Sequence, residues 1–395
     1  PFWLKAPALS FGARHQCSPS LPRSPSKARE GDLGGPAPPY RTEPMRSALP
    51  LVAALLCLSS ALRLAAGVQQ GDSGALRGSS VVAPAPGAPR PLWTYWQSPA
   101  RPALVDLCVQ TLRSRAGPGW EVHVLSRRTA LERVAASDLP PAFGRMRPSF
   151  QADALRLALL RRHGGMWVDA TTIAVRNFSE WVGQALDGGS GFYGFYIEHY
   201  TAPEGPPLVA SWAVAVAAPE EPLVAAWHDA YLRVWANRSG ADDITTDPFF
   251  DGADLSHVSP FMQDYLNVEL VLLALLQRGG DLRRRFDSTA TVVSAESGPY
   301  AIQTRLGMKW FGGSKCRPVT ARLAALPAEL RQQLAATPLV KLRHQDRRFL
   351  EQMSAAQLLR RADSVLGALL LGGGRPPAEA APPALLDDSD ERGAC

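Results

Sequence analysis

The stretch from Ser149 to Thr172, Ser-Phe-Gln-Ala-Asp-Ala-Leu-Arg-Leu-Ala-Leu-Leu-Arg-Arg-His-Gly-Gly-Met-Trp-Val-Asp-Ala-Thr-Thr, leaves few folds open. Phe150, Ala154, Leu157, Ala158 and Leu160 recur at the spacing of an amphipathic helix, and Ser149 reads as its N-cap. Gly164 and Gly165 end that helix. Met166-Trp167-Val168 is then a short apolar run closed by Asp169, the pattern of a buried strand with a carboxylate at its C-terminal edge. Ligands of open parallel sheets bind at that edge. Asp153 and Arg156 stand three apart, so one side of the helix presents a carboxylate and a guanidinium together.

The flanking sequence supplies the partners such a strand needs. Leu92 to Trp96 is a β-rich aromatic run, Pro102 to Arg115 has helical spacing, and Trp120 to Leu125 alternates as a second strand. Ser126 then caps a helix through Ala135. Strand, helix, strand and helix leading into the Asp169 strand predict an α/β domain with a mostly parallel sheet flanked by helices. Further on, the pattern predicts a short helix over Asn177 to Leu186, strands over Gly191 to Tyr196 and Leu208 to Ala215, and a helix over Glu220 to Trp235. Ile244 to Asp264 reads as an acidic loop containing His257, and Met262 to Arg278 as an apolar core helix.

At the N-terminal end, residues 1–44 are Pro-, Ser- and Arg-rich without apolar period, the composition of disorder or of translation from upstream of a start at Met45. Met45 and Arg46, the apolar run Leu49 to Leu62 and the small residues Ala65-Ala66-Gly67 form a signal peptide or, as the alternative, a type II signal anchor. Residues 68–90 read as a flexible stem, 91–371 as the folded domain, and 372–395 as a disordered tail. The formal net charge is +6, but the basic residues are scattered or sit in short helical groups such as Arg283-Arg284-Arg285, which argues against a nucleic-acid partner.

None of the five cysteines forms a CxxC pair, against a zinc or thioredoxin-like site; a Cys108–Cys316 disulfide is left open. Of the three asparagines, Asn177 and Asn237 open N-glycosylation sequons, which predicts a secretory-pathway protein of the Golgi lumen or membrane, or a secreted one.

The run Ala152-Asp153-x2-Arg156, then Leu159, then Gly164-Gly165-Met166-Trp167-Val168-Asp169-Ala170-Thr171, resembles the capsular polysaccharide synthesis protein family. It is also similar to the wider set of glycosyltransferases with a sugar-binding DXD region. Gln263-Asp264-Tyr265-Leu266 and Val340-Lys341-Leu342-Arg343-His344 resemble further segments of that family. The resemblance implies a GT-A type, Rossmann-like nucleotide-sugar domain, with a nucleotide-sugar donor, a glycan or polysaccharide acceptor and, by analogy with the toxin-like relatives, retention of anomeric configuration. Asp153 and Arg156 would then hold donor hydroxyls and stabilise developing charge. Asp169 would take a divalent cation, Mn or Mg, helped by Thr171 where the full DXD pattern has a second acid. Gly165, Lys341, Arg343 and His344 complete the implied donor site, and Trp93, Tyr95 or Trp96 offers an aromatic face to the base. A phosphohydrolase with a strand-end Asp is disfavoured because Ala170-Thr171 lacks its second carboxylate. A non-catalytic carbohydrate-binding or scaffold protein on a decayed transferase fold is the alternative reading.

Overall fold

The computed structural model describes residues 88–305, 322–347, 350–360 and 362–372. The leader, nearly all of the stem, the tail and Cys316 lie outside them. Among the described residues no helix is long and apolar enough to cross a membrane.

The main sheet is built from β1 (Arg90–Tyr95), β2 (Trp120–Leu125), β3 (Gly165–Val168), β5 (Phe192–Tyr196), β6 (Val209–Val216) and β7 (Ala290–Ser294), in the order β2-β1-β3-β6-β5-β7. β1 pairs in parallel with both β2 and β3, and β5 in parallel with β7, while β6 runs antiparallel to β3 and β5. Five of the six strands therefore point the same way, as expected of a mostly parallel α/β sheet. A second sheet pairs β4 (Thr172–Ala174) antiparallel with β8 (Leu339–Lys341), in the register Thr172 to Lys341.

Between β1 and β7 the chain forms the α-helices α1 (Ala103–Ser114), α2 (Arg127–Leu131), α3 (Pro148–His163), α4 (Val182–Asp187), α5 (Pro222–Trp235), α6 (Pro260–Gln263), α7 (Asn267–Gln277) and α8 (Gly280–Thr289). α3 begins differently from the sequence reading. Pro148 occupies its first turn, with its fixed φ suited to helix entry, and Ser149 does not cap it. Nor is α3 amphipathic. It packs against β1, β3 and β6 on one side and α5 on the other, so Gln151 and every residue from Asp153 to Leu160 is buried. A polar residue in that run must find its partner inside the protein.

The two glycines after α3 make the turn into β3. Gly164 has φ +66° and Gly165 φ +82°, and a Cβ on Gly165 would lie 2.1 Å from the Pro91 carbonyl oxygen of β1. Gly165, expected at the donor site, thus serves the packing of neighbouring strands.

Two other expectations are corrected. α2 stops at Leu131, one turn into the predicted helix, although Ser126 caps it as foreseen through the Thr129 amide. The apolar helix predicted over Met262 to Arg278 is broken in two, because the Asn267 side-chain amide bonds the Asp264 carbonyl at 2.9 Å while its oxygen accepts from Trp235 Nε1 at 3.2 Å. Cys108 is a free thiol buried in a second core with Leu104, Ile173, Val340 and Val365, and burial pushes it up to about 12.

Candidate active site at the junction of the two sheets

Asp169 follows the last residue of β3, and three residues later the chain enters β4 in the other sheet. The junction is pinned by backbone bonds, since the Asp169 amide donates to the Trp212 carbonyl at 2.9 Å and the Leu342 amide donates to the Thr171 carbonyl at 3.0 Å. Side chains from α3, β3, β6, α7 and β8 converge there.

Arg156 is the centre of the cluster. Its Nη1 bonds Asp153 one turn earlier on α3 and also donates to Ser211 Oγ at 2.7 Å, and its Nη2 donates to Asp169 Oδ1 at 3.0 Å. The guanidinium lies 5.1 Å from the Trp167 ring centroid, and the Trp167 indole N–H donates to the same Asp169 oxygen at 2.9 Å. The Arg156 side chain is only 3 % exposed. Its place is structural and electrostatic: it aims Asp169, whose side chain is 27 % exposed. The other Asp169 oxygen accepts from Lys341 Nζ at 2.7 Å, and the same ammonium bonds Thr171 Oγ1 at 3.1 Å.

Glu269 of α7 belongs to this cluster although the sequence placed its helix in the core. Its Oε1 accepts from Ser211 Oγ at 2.6 Å, so the serine hydroxyl links Arg156 to Glu269, while its Oε2 is buried without a partner. The signal available in the sequence was a single acid within an otherwise apolar helical run.

Three carboxylates thus face two cations, Arg156 and Lys341. Burial raises Asp153 to about 7 against the pull of Arg156, and Glu269 adds to the rise. Glu269 is raised by burial as well, with its Ser211 bond opposing. Asp169 goes the other way, because the charges of Lys341 and Arg156 outweigh its burial and hold it below the ordinary carboxylate range. Burial lowers Lys341, with Asp169 opposing. Burial thus favours the neutral form of both Asp153 and Glu269.

The remaining expected residues divide. Trp93 is buried, donates its indole N–H to the Gly164 carbonyl at 3.1 Å and stacks on His123 at 4.6 Å, so it is a core residue and offers no face to a base. Tyr95 is also buried, and its hydroxyl donates to Gln151 Oε1 at 3.3 Å. Trp96 is partly exposed, with the Arg347 guanidinium 5.7 Å from its ring. Arg343 lies 5.8 Å from the Tyr300 ring, and His344 is exposed. Tyr265 and Phe261, between α6 and α7 and on α6, are exposed aromatics, Phe261 to 83 %. Burial of its hydroxyl end, with the charges of Glu269, Asp153 and Asp169 adding, raises the Tyr265 hydroxyl. Both sequon asparagines are away from it, Asn237 exposed after α5 and Asn177 bonded to Glu180 at 2.9 Å.

The residues expected to take a divalent cation are bonded within the protein. Both Asp169 oxygens and the Thr171 hydroxyl are already engaged, two of these three atoms by one ammonium. Among the described residues no group of three or more His, Cys, Asp or Glu side chains is disposed to hold a metal ion.

Comparison with known proteins agrees with the resemblance read from the Ser149–Thr172 stretch. Residues 83–253 match the family described as capsular polysaccharide synthesis protein. An O-glycosyltransferase, PaGT, of Phomopsis amygdali is 26 % identical over 182 residues, 43 % of this chain and 43 % of that one. The chain therefore spans less than half the length of that curated relative. The solved PaToxG glycosyltransferase aligns at a TM-score of 0.28 and 12 % identity, over 68 % of this chain and 87 % of that chain. By sequence the chain is related to glycosyltransferases.

Proposed function

We propose that this chain transfers a glycosyl group from a nucleoside-diphosphate sugar to a hydroxyl of a glycan or polysaccharide, with retention of anomeric configuration. The observation that carries the reading is the partly exposed Asp169 carboxylate, held by Arg156 and Lys341 at the C-terminal edge of a parallel strand. Glycosyl transfer builds negative charge on the departing diphosphate and positive charge at the sugar carbon, so a fixed alternation of cations and carboxylates stabilises both ends of the breaking bond. Asp169 is the most exposed charged group of the cluster, with the Lys341 ammonium bonded to it. Arg156, Ser211 and Glu269 hold them from behind, which supplies the fixed geometry that such stabilisation needs. Of the exposed or partly exposed groups, the rings of Trp96, Tyr265 and Phe261 suit a base or a sugar, and the Arg343 guanidinium suits a phosphate. The two sequons support a lumenal location in the secretory pathway.

The test is a screen of nucleotide sugars for release of nucleoside diphosphate, alone and with oligosaccharide acceptors, with the anomeric proton coupling of any product read by NMR. Release from one donor class, lost in Asp169→Asn, supports transfer. Thermal stabilisation by free glycan with none by any nucleotide supports the carbohydrate-binding alternative instead.

A further inference from the structure

Lys341 is rooted more firmly than a long surface lysine. Its backbone pairs with Thr172 across the β4–β8 ladder, its amide donates to the Pro299 carbonyl at 3.1 Å, and its carbonyl accepts from Gln303 Nε2 at 2.8 Å. The side chain is 10 % exposed, and its ammonium rests 2.7 Å from Asp169 Oδ2 and 3.1 Å from Thr171 Oγ1. Those two oxygens are the pair that a DXD-like strand end would offer to a metal. A hard cation would need them at about 2.0–2.6 Å with several further oxygen ligands. The ammonium occupies that ground, and among the described residues no group of three or more His, Cys, Asp or Glu side chains is disposed to hold a metal ion there. The Trp212 ring, 5.9 Å from the ammonium, closes one side.

We propose that Lys341 is the resident cation of this site, standing between Asp169 and Thr171 where a metal-dependent transferase holds a divalent ion, so that the chain binds nucleoside diphosphates without metal. The proposal rests on the glycosyltransferase reading and specifies how its diphosphate is held. A lysine here is a point charge with three donors. Asp169 and Thr171 take two of them, and the third is left for a phosphate oxygen. Asp169 then acts by orienting the ammonium instead of ligating a metal.

The experiment is calorimetric titration of the whole chain with UDP and with GDP, in chelator and in manganese. One of the two binds in chelator, and manganese changes its Kd by less than about threefold, because no strong ligand set is left vacant. Lys341→Ala weakens binding in chelator by about tenfold or more, the loss of one charge-assisted hydrogen bond, and manganese now restores part of it through the freed Asp169 and Thr171 oxygens. Binding by the wild-type chain only in manganese overturns the proposal and leaves the transferase reading standing. Unchanged binding by Lys341→Ala in chelator also overturns it. Binding of neither nucleotide in either buffer overturns both. The wild-type comparison decides by itself if Lys341→Ala does not fold.

Discussion

Ser211 and Glu269, fifty-eight residues apart, are joined twice: Glu269 Oε1 accepts from the Ser211 hydroxyl at 2.6 Å and from the Ser211 amide at 3.3 Å. The link ties α7 to the middle of β6 beneath the guanidinium of Arg156, which bonds the same hydroxyl. Glu269→Gln keeps the accepting oxygen and replaces the unpartnered Oε2 by an amide, while removing a desolvated charge. Glu269→Ala leaves the Ser211 donors without their acceptor. The glutamine variant is expected to melt within a few degrees of wild type, and the alanine variant to lose about 1–3 kcal/mol in urea denaturation. Equal losses in the two variants would show that the charge, and not the acceptor, holds this link.

Asp169 offers a sharper contrast. It is the shared acceptor of two buried cations, so Asp169→Ala leaves Lys341 without a carboxylate while Arg156 keeps Asp153, and is expected to cost about 3 kcal/mol. Asp169→Asn preserves shape and one accepting oxygen. It should remain folded by circular dichroism while donor turnover falls at least about 100-fold, the scale of losing a fixed charge next to a charge-separating transition state. Turnover near the wild-type rate in Asp169→Asn would remove Asp169 from the chemistry.

The existence of the α3–Gly–Gly–β3–Asp169 unit could be read from sequence because a paired glycine stop and a continuous apolar strand are local signals, whereas the burial of α3 on nearly every side is set by the sheet and α5 around it. The joining of β4 to β8 could not. Each has three residues, and the register that brings Lys341 to Asp169 spans 172 positions, so it is fixed by tertiary packing. Trp93 and Tyr95 were legible as strand residues, but the sheet face each side chain takes is set by the helices that cover it, and both point into the core. Glu269 lay hidden for the opposite reason. Local hydrophobicity placed its helix inside correctly, and only the fold shows that inside includes a polar cluster.

Gly165 gives a prediction independent of any chemistry. With φ +82° and the Pro91 carbonyl oxygen 2.1 Å from where a Cβ would stand, Gly165→Ala must push β3 away from β1. The expected cost exceeds about 3 kcal/mol, and soluble yield should fall with it. Gly252, with φ +77° and nothing within 4 Å of a Cβ, is the control. Gly252→Ala suffers only the backbone strain, of the order of 1 kcal/mol. Chemical denaturation of the two variants separates close packing from dihedral preference.

The pH dependence of stability follows from the excess carboxylate. Asp153 is raised from its ordinary value to about 7, so the folded chain holds a proton that the unfolded chain has released. A raised carboxyl stabilises the fold below its unfolded pKa of about 4, and that contribution is lost as pH climbs toward the folded value. Asp169 is depressed and works in reverse, its contribution being present above about 4 and lost in stronger acid. Together they place the cluster's best stability near pH 4–5, with a decline of a few kcal/mol on going to neutrality. The groups facing Asp153 are Arg156, Glu269, Asp169 and the buried Tyr231 hydroxyl, so replacing Asp153 alone alters the whole balance. Asp153→Asn keeps an acceptor for Arg156 and removes the excess charge. It should flatten the slope of melting temperature between pH about 4 and 7 while leaving the acid limb governed by Asp169 in place. Differential scanning calorimetry of both chains across that range checks it, and parallel slopes would show that Asp153 does not carry the dependence.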